Sequence, residues 1–145
     1  MSVIIKFFTA TDDTSAASSL VGGPHRDLAP VTCGNFDAME AVVEWESLLT
    51  GRSFEALVAS DEPRTVADPG DGGGPLLFAV SAALRGELAG ASAARQAQIG
   101  ALWVRERALE GDVFDPELVE DLLGELAALA RAAGARGEGL YCWVA

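Results

Sequence analysis

The chain has 145 residues, half of them hydrophobic and 22% charged, the balance of a single globular domain that needs no metal or disulfide staple. Asp and Glu total 22 against 10 Lys and Arg, a formal charge of −12. The arginines are dispersed (Arg26, Arg52, Arg64, Arg85, Arg95), and Arg105 and Arg107 are interrupted by Glu106. Such a surface repels phosphates and anionic headgroups, which argues against nucleic acid or membrane as partner and leaves a basic protein.

Two distant cysteines, Cys33 and Cys142, do not form a disulfide framework. Met1–Ala10 lacks a cleavage-site pattern, and no apolar stretch nears the ~20 residues of a membrane span. The expected location is the cytoplasm. Lys6 is the only lysine, in a chain crowded with Ala and Gly, a bias that suits a high-GC bacterial origin.

In chain order, Val3–Thr9 reads as a strand. Val3, Ile5 and Phe7 alternate with Ile4, Lys6 and Phe8, so both faces are largely apolar and the strand belongs inside a sheet. Ala10–Pro30 is small, polar and punctuated by glycine and proline, with a short helix near Thr14–Leu20. Gly34–Gly51 carries a well-marked helix. Asp37 and Glu40 have capping-box spacing, with Asn35 a competing N-cap, and Gly51 suits the left-handed residue after the last turn. A further turn or two runs from Ser53 to Val58. Glu62–Pro75 is a Gly/Pro/Asp loop in which no regular element is expected.

Leu76–Val80 is either a strand or the packed entry to a helix, Ser81 caps a helix through Leu88, and Ser92 opens another to about Leu109. Asp115–Gly134 is the most regular helix, with Asp115 as cap, Pro116 at its first position, an acidic first turn and a wide Val/Leu/Ala stripe; Gly134 is expected to end it. Leu140–Val144 is a second strand apolar on both faces. The fold class is therefore α+β: a small sheet including both terminal strands, with Val31–Cys33 or Leu76–Val80 alongside, covered by about four helices in a two-layer single domain.

Few residues carry chemistry. Gly70–Pro75 places Pro75 where a dinucleotide loop needs its third glycine, offers no P-loop lysine, and misplaces Asp68 and Asp71 for a calcium loop. Gly90-Ala91-Ser92-Ala93-Ala94 lacks the last glycine of a nucleophile elbow, and the sole histidine, His25, precedes the serine where that fold requires it to follow. Cys33 lies just before a helix start, where the dipole lowers a thiol pKa, and His25 eight residues upstream is a candidate base. No ligand spacing joins Cys33, Cys142 and His25 into a metal site, and no cofactor motif is present. Asp37, Glu40 and Glu44 project from one side of their helix, either as a solvated face or as carboxylates for a cation or acid/base work. Glu46 falls on the apolar stripe with Met39 and Leu49; if buried it needs a partner, with Arg52 or Arg26 nearest in sequence. Tyr141 and Trp143 share one face of the last strand, as core if that face is covered and as an exposed binding patch if it is not.

The initial strand, the helix ending Ser47-Leu48-Leu49-Thr50-Gly51, the amphipathic helix through Leu122–Ala133 and the closing Ala135-Arg136-Gly137-Glu138-Gly139-Leu140-Tyr141-Cys142-Trp143-Val144 together resemble the DUF1877 (YfbM-like) family of small bacterial proteins. That resemblance implies an α+β fold and no activity. The functional expectation is a non-enzymatic protein working by protein–protein contact, immunity-like toward a basic toxin. The alternative is a small enzyme using Cys33 and His25 or a carboxylate pocket of Asp37, Glu40 and Glu46.

Overall fold

A computed structural model describes residues 3–68 and 74–145; the readings placed on Gly70 to Gly73, Asp71 included, lie outside the described residues. The elements in order are β1 (Ile4–Ala10), α1 (Asp13–Ala17), a 3-10 turn (Arg26–Leu28), β2 (Val31–Gly34), α2 (Ala38–Thr50), α3 (Phe54–Ala59), β3 (Arg64–Ala67), β4 (Leu76–Ala79), α4 (Ala82–Gly90), α5 (Ala93–Leu109), α6 (Pro116–Arg136) and β5 (Gly139–Val144). The sheet is antiparallel throughout, in the order β2-β1-β5-β4-β3. The two terminal strands are thus paired neighbours at its centre, with Phe7 opposite Cys142 and Phe8 opposite Tyr141. Their two-sided apolarity follows from that position, since a central strand packs on both faces.

The larger core lies on the face carrying Ile5, Phe7, Phe78, Leu140 and Cys142, beneath α2, α4, α5 and α6. Trp45 sits at its middle, fully buried against Phe7, Phe36 and Trp103. The opposite face, with Phe8, Leu77, Ala79, Tyr141 and Trp143, is also covered, by α1 and the turn after it. Tyr141 Oη–H donates to Asp13 Oδ1 at 2.9 Å, and Trp143 Nε1–H to the Leu20 carbonyl at 2.8 Å. Tyr141 and Trp143 are therefore only 5% and 7% exposed, core residues with no exposed patch. The second cover also makes this more than the expected two layers.

Two other expectations are corrected. Arg64–Ala67 forms an edge strand inside the segment read as pure loop, because Thr65 and Val66 suit a pleated edge and β4 supplies the ladder. Helix α6 runs past Gly134 to Arg136. An interior glycine costs about 1 kcal/mol but breaks no hydrogen bond, and the stop is Gly137, at φ 65, beyond which Glu138 N–H returns to the Ala133 carbonyl. The caps Asp37, Ser53, Ser81, Ser92 and Asp115 each accept a backbone N–H at their helix starts. Among the described residues no helix is long and apolar enough to cross a membrane.

Candidate functional site

The most polar concavity is built where α2 faces α5. Asp37 caps α2, its Oδ1 accepting Glu40 N–H at 3.0 Å, and so fixes Glu40 and Glu44 one turn apart on the face toward α5. Helix α5 answers with Trp103 and Arg107 at the same spacing. Trp103 Nε1–H donates to Glu44 Oε1 at 3.0 Å. Arg107 Nη1 donates to Glu44 Oε2 at 2.8 Å and Glu40 Oε1 at 3.0 Å, and Nη2 to Asp112 Oδ2 at 2.8 Å. Asp112 is brought back by the turn that ends α5, where its N–H reaches the Arg107 carbonyl.

Burial alone would pull the Arg107 guanidinium down, but its hydrogen bonds to Asp112, Glu44 and Glu40 outweigh that and raise it above its ordinary value, so the side chain is fixed as a cation. Phe36, Trp103 and Phe114 supply an aromatic wall; Phe36 meets both of the others edge-on at about 6 Å. The cavity enclosed is about 250 Å3, rimmed by Asn35 and Asp37. Among the described residues four carboxylates, Asp37, Glu40, Glu44 and Asp112, thus line it against one cation, Arg107.

Across the same aromatic wall lies a second, more apolar cavity of about 450 Å3 between β2 and α6, reached by Cys33, Leu118, Leu122 and Glu125. Cys33 belongs to β2, four residues before the α2 cap, so the expected dipole lowering of its thiol is overturned. Burial, helped by the Glu125 charge, pushes the thiol up to about 12. His25 stands apart: its ring is 69% exposed, caps the 3-10 turn by accepting Asp27 N–H, and lines neither cavity. Cys142 is buried among the core strands and its thiol is also pushed up, by burial first and Cys33 second. Among the described residues no three His, Cys, Asp or Glu side chains are grouped to hold a metal ion.

Glu46 is buried, at 3% exposure, on the opposite side of α2. The arginine partner expected for it is replaced by the Ser81 hydroxyl, which donates to Oε1 while the same oxygen caps α4 by accepting Leu84 N–H. Glu62 lies nearby, and burial, followed by the Glu46 charge, raises its carboxyl above the usual range. Of the candidates read from the sequence, the structure brings Asp37, Glu40 and Glu44 together, sets Cys33 behind the shared aromatic wall, and leaves His25 and Glu46 elsewhere. Trp103, Arg107, Asp112, Phe36 and Phe114 were missed. The one available signal was the Trp103/Arg107 spacing of four, which marks a helical face aimed at the carboxylate row.

The chain matches no protein-family model, no curated protein and no solved structure.

Proposed function

We propose that this protein works by protein–protein contact, using the acidic, aromatic-walled cleft between α2 and α5 to receive a cationic side chain of a basic partner. The observation that carries this reading is the composition of the cleft: four carboxylates and three aromatic rings around one guanidinium. Carboxylates and aromatic faces are the two groups that attract a desolvated ammonium or guanidinium. The pairing of the internal Arg107 with Glu40, Glu44 and Asp112 supports this reading, and the four carboxylates of the cleft exceed that one cation by three. At long range, the net charge of −12 steers a basic partner toward the protein and repels nucleic acid. A bacterial cytoplasmic protein that neutralises a basic toxin is the concrete form of this proposal.

The test is a titration with octalysine and octaglutamate, followed through the three tryptophan indole N–H resonances. Octalysine is expected to move the Trp103 resonance at low ionic strength and to release as salt is added. Glu40→Gln, which removes a half-exposed carboxylate, weakens the binding. Octalysine without effect on Trp103, or octaglutamate with an equal one, would refute the reading.

A further inference from the structure

The sheet has two edges, and they are treated differently. The β3 edge carries Arg64, held by Asp13, and a register shift between Thr65 and Ala67, both devices that blunt an edge against further pairing. The β2 edge, Val31-Thr32-Cys33-Gly34, has no charge and no proline, and Thr32 is exposed.

Its hydrogen-bonding direction follows from the ladder. Ile4 exchanges both backbone bonds with Ala145 on the β5 side, while Asn35 N–H reaches the Val3 carbonyl on the β2 side. Antiparallel alternation then turns Ile5 and Phe7 toward their β2 partners Cys33 and Val31. Thr32 and Gly34 consequently point their N–H and C=O groups away from the sheet. Among the described residues no group bonds those outward amides.

A groove runs beside this edge. The 450 Å3 cavity and a neighbour of about 480 Å3 meet at Thr32 and Glu125, so they form one channel between β2 and α6, floored by Leu122, Ala128, Leu129 and Ala132. From Leu118 to Ala132 the helix rises about 21 Å, the length of a strand of about six residues. Asp115, Asp121 and Glu125 line the channel, and among the described residues no cationic side chain does.

We infer that this edge is a strand-addition site, which an extended segment of a basic partner joins antiparallel or parallel to β2, with every second side chain turned into the groove, apolar ones over Leu122 and Leu129 and cationic ones against Asp121 and Glu125. Main-chain pairing supplies affinity and the groove supplies selectivity in this mode of recognition. Charge decides the occupant: a second copy of this chain would bring another −12 to the same acidic groove. The inference rests on the basic-partner reading above and places part of that contact on the sheet edge beside the cleft.

The probe is a seven-residue Lys/Val peptide, Lys-Thr-Val-Thr-Val-Thr-Lys, capped at both ends, which sets its Lys and Val side chains on one face. Its controls are a Glu/Val peptide and a Lys/Val peptide N-methylated at alternate amides. The plain Lys/Val peptide is expected to slow hydrogen exchange at the Thr32 and Gly34 amides tenfold or more, and the best-placed N-methylation to weaken binding at least tenfold. Thr32→Pro, which removes an outward N–H that β1 does not use, abolishes binding, while Thr32→Val keeps it; the methylated peptide decides the matter should Thr32→Pro not fold. Equal binding of plain and methylated peptides, with shifts confined to Trp103 and Glu40, overturns strand addition and leaves the basic-partner reading standing. No binding by any lysine peptide at low ionic strength overturns both. Equal binding of the Glu/Val peptide overturns the assigned charge, and concentration-dependent pairing of the chain through Thr32 and Gly34 assigns the edge to a second copy instead.

Discussion

Replacing Arg107 by Met tests the construction of the cleft most directly, because one guanidinium holds three carboxylates and the α5 terminus. The exposures rank its contacts: the Arg107 side chain is 13% exposed and Glu44 16%, whereas Glu40 is 43% and Asp112 54% exposed. The two outer pairs belong to the surface class, at most about 1 kcal/mol each. The inner pair is close to buried, and removing one partner of such a pair costs about 3–5 kcal/mol because the other charge is stranded. Glu44 keeps the Trp103 indole N–H, which moderates that cost. A loss of about 3 kcal/mol follows, equivalent to roughly 10 °C in melting temperature for a chain of this size. Urea unfolding monitored by circular dichroism reads it as a lower midpoint at unchanged slope. Arg107→Lys recovers only part, since a point charge cannot fork between Glu44 and Asp112. Combining Arg107→Met with Glu44→Gln costs less than the sum of the single changes, because the stranded charge is gone. An Arg107→Met protein within about 0.5 kcal/mol of the parent at low salt would refute this account of the cleft.

Three more outcomes are expected. Tyr141 is the only tyrosine, and burial together with its bond to Asp13 pushes its phenol up to about 12; an ultraviolet titration should therefore show phenolate formation near pH 12, and a midpoint near 10 would mean that α1 does not cover this face. Cys33, with its thiol at about 12 in place of 9, holds on the order of a thousandfold less thiolate than an unfolded cysteine at pH 8, so iodoacetamide should label the native chain far more slowly than the urea-unfolded one, and rapid native labelling would restore a reactive thiol. Glu62 has a raised carboxyl, so the folded state binds a proton more tightly than the unfolded state and stability falls as pH rises from the ordinary glutamate value to the raised one; Glu62→Gln should remove that fall and stabilise the protein at neutral pH by less than about 1 kcal/mol, read from melting temperatures across pH 4 to 8.

The legible parts of this molecule were those that depend on local chemistry. Capping residues announced α2, α4, α5 and α6, and the double apolarity of Val3–Thr9 and Leu140–Val144 required central strands, because only an interior strand has both faces covered. The strand Arg64–Ala67 was not legible: four residues between a proline and a glycine-rich loop have too little periodicity, and their structure comes from β4 across the ladder. The site was half legible for a related reason. The row Asp37, Glu40, Glu44 follows from helical spacing, but whether such a row meets water or a cation depends on which helix lies opposite. Helix α5 is opposite, and its Arg107 reads in the sequence only as half of a basic pair with Arg105, interrupted by Glu106. Glu46 went the same way: its place on the apolar stripe was readable but left its burial open, and its partner came from Ser81, a residue whose capping role hid a second bond.

The aromatic wall links the two surfaces proposed for the partner. Phe36, Trp103 and Phe114 line both the acidic cleft and the end of the β2–α6 groove, so an apolar side chain seated in the groove presses on a wall whose Trp103 is held by Glu44 from the other side. Trp103 is the shared element, since its ring packs 4.8 Å from Phe114 by centroids and its N–H is fixed to Glu44. Packed interiors transmit small displacements because they contain little free volume. A strand added to β2 is therefore felt at the Trp103–Glu44 bond, and a cation in the cleft is felt at the groove through the same ring. Removing the bond with Glu44→Leu while keeping the ring, or removing the ring with Trp103→Leu while keeping the carboxylate, separates the two routes. If the surfaces act as one site, each change should weaken a peptide spanning groove and cleft by more than it weakens octalysine. Equal losses for both ligands would mean that the wall is a shared boundary and carries no coupling.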